Sequence, residues 1–139
     1  MKLMNFDALT DFAEHLPDEG EPVAIGRWIN GRIISVLASP EIENSHHVAT
    51  GVSVVPAGSS TPWHHHEAEE IAVIVAGAGE IEIDGVVFPV RAGDVVLTPP
   101  DLPHQTRAGA ESALAVFWVY SPAGSEVRWL SENPVEDQR

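Results

Sequence analysis

Two dipeptides constrain this chain more than any other feature. Asn30-Gly31 and Asp84-Gly85 each stand between short runs rich in Val and Ile. Two successive residues that tolerate φ > 0 are what a type I′ turn requires, and that turn matches the twist of paired strands. Residues 23–29 with 32–38, and 80–83 with 86–90, are therefore predicted as β-hairpins. Eleven Pro and eleven Gly break the remainder into similar runs, predicting strands at 47–55, 70–75, 94–98 and 113–120, with a last one at 127–130. Helical periodicity is confined to 5–16, where Phe6, Leu9, Phe12, Ala13 and Leu16 recur before Pro17 and Gly20 end the segment. At 139 residues one domain is expected. It reads as all-β, with roughly eight to ten strands: a short N-terminal helix (5–16), a barrel (23–130) and a polar tail (131–139) that frays.

Charge narrows the partners. Seven Lys and Arg stand against 21 Asp and Glu, a formal net charge of −14. Such a surface repels phosphate backbones and anionic membranes, so neither nucleic acid nor membrane is an expected partner. A hydrophobic content of 44% supports a packed core rather than an acidic disordered tail. The absence of Cys excludes disulfides, thiolate metal sites and a Cys nucleophile. Asp7 and Asp11 stand where an export signal needs an apolar core. The longest uncharged apolar runs, 71–79 and 113–123, fall short of the ~20 residues that span a bilayer. A soluble, cytoplasmic protein is expected.

The chemistry concentrates in residues 58–77. On a strand, side chains alternate, so His64 and His66 share a face and His65 takes the other. On a helix, residues two apart diverge by about 200°, and Pro62 also opposes a helix. Glu70 shares the parity of Ala72 and Ile74, and a turn through Glu67 and Glu69 can fold it back beside the histidines. His104 lies far off in sequence, after Pro99, Pro100 and Pro103, which restrict its loop. Three imidazoles and one carboxylate thus become available to one interior point. The blander alternative is a solvated histidine turn that binds stray metal, and it leaves the spacing to Glu70 and the distant His104 unexplained.

Gly58, His64, His66, Glu70 and Gly77 have the spacing G-x5-H-x-H-x3-E-x6-G, and this stretch resembles the first motif of the cupin superfamily. Gly93, Pro99 and His104 resemble the second, G-x5-P-x-G-x2-H-x3-N, with Asp101 in place of its Gly and Ala108 in place of its Asn. The chain thus looks like a small single-domain cupin of the conserved-barrel type. The resemblance implies a double-stranded β-helix, or jelly-roll barrel, with one divalent transition metal held by His64, His66, Glu70 and His104. Imidazole and carboxylate suit iron, zinc, nickel, manganese or copper. Four protein ligands leave positions open on an octahedral ion, as a catalytic site requires. The family also implies a homodimer paired through outer strands.

Further candidates follow from placement. Tyr120, or a histidine such as His47 at the entrance to the 47–55 strand, is a candidate proton carrier. His46 and His47 lie on opposite faces there, and the alternative for either is an ordinary surface histidine. Trp118 shares a face with Tyr120, Phe117 takes the other, and Trp63 precedes the histidines. Each is a candidate wall of a substrate pocket, with core packing as the competing role. The function implied is a metal-dependent enzyme acting on a small organic molecule. Iron-dependent, dioxygenase-type oxidation comes first because such enzymes are common among resembling proteins. A Lewis-acid isomerase, cyclase, decarboxylase or lyase using zinc, nickel or manganese is the alternative. A non-catalytic sensor of a metal or metabolite is the other.

Overall fold

A computed structural model describes residues 1–132 and 134–136. Both predicted hairpins are present. β1 (Arg27–Ile29) pairs antiparallel with β2 (Arg32–Ala38), and Asn30 and Gly31 take φ of 47° and 88°. β5 (Ala78–Ile83) pairs with β6 (Val86–Arg91) through Asp84 and Gly85 at 48° and 83°. The remaining predicted strands are β3 (Ala49–Val55), β4 (Glu69–Ala76), β7 (Val95–Thr98) and β9 (Leu114–Ser121). They form a six-stranded sheet in the order β1-β2-β3-β9-β4-β7. A three-stranded sheet, β6-β5-β8, faces it and includes β8 (His104–Ala108).

The two sheets enclose the main core, built from Val55, Ala72, Ile74, Leu114 and Val116 on one side and Ile81, Ile83, Val90 and Ala108 on the other. Alternation along β9 sends Leu114, Val116, Trp118 and Tyr120 inward, while Ala115 and Phe117 face out. That outer face is covered by α1 (Phe6–Glu14), whose Leu9 and Ala13 pack on Ile33, Val52, Val54 and Ala115. Asn5 caps the helix, its side-chain oxygen accepting the N–H groups of Asp7 and Ala8.

Three expectations change. Residues 127–130 form a short helix, α2 (Val127–Leu130), not a strand. Only Trp129 of that segment is buried, plugging one end of the inner core. A single-residue anchor suits a helical turn, and none of the described strands pairs with it. Residues 104–108 form a strand where a loop was expected. Apart from His104 and Ala108 this strand is only partly buried, so it carries no apolar signature. The tail does not simply fray: Glu136 is 7% exposed and joins the inner cluster of polar groups. The rest of that predicted segment includes residues 133 and 137–139, which lie outside the described residues. Among the described residues, no helix is long and apolar enough to cross a membrane.

Candidate metal centre

The histidines are brought together by main-chain bonds. His64 lies outside the named strands, in an extended segment that pairs intermittently with β8. Its N–H donates to the carbonyl of His104 at 3.1 Å, and the His104 N–H donates back at 2.9 Å. The Asp101 N–H donates to the carbonyl of His66 at 2.8 Å. Asp101 sits at φ 62°, the left-handed conformation that the Gly of the resembled motif adopts without strain and that Asp tolerates. The departure from the motif therefore preserves the turn.

All three imidazoles are oriented the same way. Nδ1 of His64 lies 2.9 Å from the carbonyl of Pro62, that of His66 2.9 Å from Ala68, and that of His104 2.9 Å from Leu102. A carbonyl only accepts, so each Nδ1 carries the proton and each Nε2 presents a lone pair inward. One ligand atom from each of the three lies within 4.8 Å of the others. Glu70, on the inward parity of β4, places Oε1 3.0 Å from His66 Nε2 and 3.9 Å from His104 Nε2. A carboxylate facing an imidazole lone pair at 3.0 Å calls for a shared positive charge, a proton or a metal ion. The His104 Nε2 atom is fully buried and, among the described residues, has no hydrogen-bond partner. Such orphaned groups are rare, and a cation accounts for this one. The donor set fits a divalent transition metal, with backbone carbonyls as the outer hydrogen-bond partners that such ligands usually have.

Electrostatics favour the neutral form of two of these imidazoles, His64 and His104. Burial pushes the His64 imidazole well below its usual pKa, and the nearby His104 adds to the effect. Burial also lowers that of His104, against an opposing pull from Glu70. Neutral imidazole is the form that coordinates metal.

Beside the cluster is a cavity of about 50 Å³, walled by Arg32, Thr61, Trp118, Tyr120 and Trp129 as well as by His64, Glu70 and His104. Trp118 and Tyr120 stack with ring centroids 4.4 Å apart, and Tyr120 lies 4.7 Å from the His66 ring. The Tyr120 hydroxyl accepts the Trp129 indole N–H at 3.1 Å. Burial, reinforced by Glu70, raises its pKa, so it stays a neutral phenol. Gly51 makes room for the Trp118 ring: a Cβ there would lie 2.3 Å from it.

Of the predicted site residues, His64, His66, Glu70, His104, Trp118 and Tyr120 converge on this chamber. His65 is half-buried and is not part of the cluster, although its carbonyl accepts from Arg128. His47 is exposed and borders a separate groove beside Pro122 and Val127. Phe117 packs outward, 5.5 Å from Phe6 beneath α1. Trp63 is half-buried and does not line the chamber. Arg32, Thr61 and Trp129 line the chamber without having been expected to, and Glu136 joins them through its contact with Arg32. Arg32 had a legible signal. It shares the parity of Ile34 on β2, so alternation turns a charge toward the interior.

A cup of two β-sheets with an inward cluster of imidazoles at one end defines the class, a jelly-roll protein with a candidate metal centre. The chain belongs to the cupin family, whose Cupin domain model matches residues 51–120, from within β3 to Tyr120. An uncharacterized protein of Methanocaldococcus jannaschii is 36% identical over 77 residues, 55% of this chain and 62% of its own length. Dimethylsulfoniopropionate lyase DddQ of Ruegeria pomeroyi is 40% identical over 78 residues, 53% of this chain and 38% of that protein. Gentisate 1,2-dioxygenase of a Ralstonia species is 31% identical over 94 residues, 63% of this chain and 26% of that protein. The chain thus spans less than two thirds of the length of these curated relatives. An RmlC-like cupin of Shewanella frigidimarina superposes with a TM-score of 0.63 over 82% of this chain and 98% of that one, at 20% identity, a likeness of fold alone. The crystal structure of DddQ matches with a TM-score of 0.52 and 33% identity, over 55% of this chain and 39% of that one.

Proposed function

We propose that this cupin is a metal-dependent enzyme acting on a small organic substrate, with one divalent transition metal held by His64, His66, Glu70 and His104. One observation carries the reading: three buried imidazoles turn unprotonated Nε2 atoms toward one point, and that of His104 has no hydrogen-bond partner among the described residues. When bound, such a metal supplies open coordination positions for substrate and O2, or Lewis-acid polarisation of a substrate oxygen. The chain's own residues do the rest. Trp118, Tyr120 and Trp129 exclude water and confine the substrate to a few atoms beside the ligands. Tyr120 accepts from Trp129 and keeps its own hydroxyl proton, which makes it the candidate proton carrier.

Dioxygenase-type oxidation with iron is the reading we place first, supported by the similarity to gentisate 1,2-dioxygenase. The second is Lewis-acid lyase chemistry with zinc, nickel or manganese, supported by the higher identity to DddQ. Elemental analysis of tag-free protein, purified without oxygen, separates them. Iron with substrate-dependent O2 uptake supports the first, and turnover independent of O2 supports the second. His66→Ala should lose stoichiometric metal and activity together while remaining folded. One tightly bound metal per chain in that variant would overturn the assignment.

A further inference from the structure

Arg32 is 2% exposed, and a guanidinium does not give up its proton, so an anion must stand beside it. The anion is the carboxylate of Glu136. Arg32 Nη2 donates to Glu136 Oε2 at 3.0 Å and Nη1 donates to Oε1, a bidentate fork. Asn30 Nδ2 donates to the same Oε1 at 2.8 Å, and the Arg32 guanidinium lies 5.0 Å over the Trp129 ring. These groups form a rigid receptor for two carboxylate oxygens, made almost entirely from the β1–β2 hairpin and α2.

Glu136 follows Val135, which is 82% exposed, and Pro134, which is only partly buried. Glu136 itself is buried, among polar groups: Arg32, Asn30 and His64. The receptor also opens on the chamber. Arg32 shares its walls with His64, Glu70 and His104, and Glu136 Oε2 lies 3.6 Å from His64 Nδ1. The remaining space beside these groups is small, about 50 Å³.

We propose that Arg32 and Asn30 form the carboxylate-binding subsite of this chamber, and that Glu136 fills it until a small organic carboxylate displaces it. The ligand class is a short acid whose carboxylate takes the place of Glu136 and whose next few atoms extend toward the histidines. This rests on reading the chamber as a substrate site and narrows that substrate to a carboxylate.

The test uses the tag-free full chain, both metal-free and metal-loaded. Pyruvate, glycolate and malonate are titrated while tryptophan fluorescence is followed, because Trp129 contacts the receptor. Pyruvamide and matched NaCl serve as controls. A tail that occupies the subsite nine-tenths of the time weakens apparent affinity about tenfold. Glu136→Gln should therefore bind at least one of the acids about tenfold more tightly than the parent. Its Tm should also rise saturably with that acid, which replaces the lost counter-charge. Arg32→Gln should abolish both effects. Equal affinities in the parent and Glu136→Gln, binding of pyruvamide as tight as pyruvate, or a destabilised Glu136→Gln that no acid restores would each overturn the proposal, leaving a purely structural ion pair. Because the metal-free arm needs no metal, a chain that binds acids without holding stoichiometric metal would refute the enzyme reading alone. A chain that holds metal but ignores acids would refute this one alone.

Discussion

The metal-free protein should lose stability as the pH falls through the mildly acidic range, and two buried histidines set the size of the loss. His64 and His104 are held neutral by burial, with folded pKa values below the usual 6.5. Once unfolded, both titrate normally. Below that value the unfolded chain takes up protons that the folded chain refuses, so the proton balance favours unfolding as pH drops. For each imidazole that stays neutral in the fold, the cost between about pH 7.5 and about pH 5.5 is about 1.4 kcal/mol, or about 3 kcal/mol for the pair. The 21 Asp and Glu residues push the other way, because a chain of net charge −14 is relieved of self-repulsion as it gains protons. The measurable quantity is therefore a difference. Urea unfolding of chelator-treated protein at both pH values should show that His104→Gln is less sensitive to acid than the parent, by at most about 1.4 kcal/mol. Imidazole NMR titrations should show both rings taking up protons at lower pH than a free histidine, His64 well below it. Identical pH dependence in parent and variant, with both unfolding cooperatively, would refute the reasoning.

Two further perturbations probe the scaffold. Gly51→Ala would bring a Cβ to 2.3 Å from the Trp118 ring and 2.4 Å from the Ser35 carbonyl oxygen. It should cost about 1–3 kcal/mol or more by urea unfolding, with a changed near-ultraviolet circular dichroism signal from the displaced indole. Leu9→Ala, at a fully buried position beneath the outer face of the large sheet, should cost about 2–5 kcal/mol. Metal stoichiometry should be unchanged, because that face lies opposite the chamber.

The legible parts of this molecule are those set by local chemistry. The two Xaa-Gly turns and the β-branched runs foretell eight of the nine strands among the described residues directly. Parity alone puts Glu70 with Ala72, and Trp118 with Tyr120, on shared faces, and the structure turns both inward. The spacing of the ligand motif foretells which histidines converge. What stayed hidden lacks a local signal. β8 is read as loop because its partly buried positions, Gln105, Thr106 and Arg107, are polar. α2 has too few residues to show a helical period, and its apolar run mimics a strand. Glu136 is one carboxylate in a polar tail, and its burial depends on Arg32, which lies at the other end of the sequence. Long-range polar pairs leave no period and no propensity behind, so a chain read residue by residue passes over them.

The same contrast bears on how the candidate centre is built. If a metal alone gathered the ligands, the segments carrying them would need no other tie. Instead, His64 and His104 exchange two main-chain hydrogen bonds, and the loop before His104 is fastened to His66 through Asp101. Each ring is then aimed by a carbonyl two residues away. The backbone thus holds three lone pairs and a carboxylate together before any ion arrives, at the cost of desolvating them and leaving His104 Nε2 unpaired. That arrangement is unfavourable in an empty protein and favourable around a cation. An ion that binds the folded chain and not the unfolded one therefore adds its binding free energy to stability. A bound metal should raise Tm most below neutral pH, where the unliganded imidazoles weaken the fold, down to the pH at which proton competition displaces the ion.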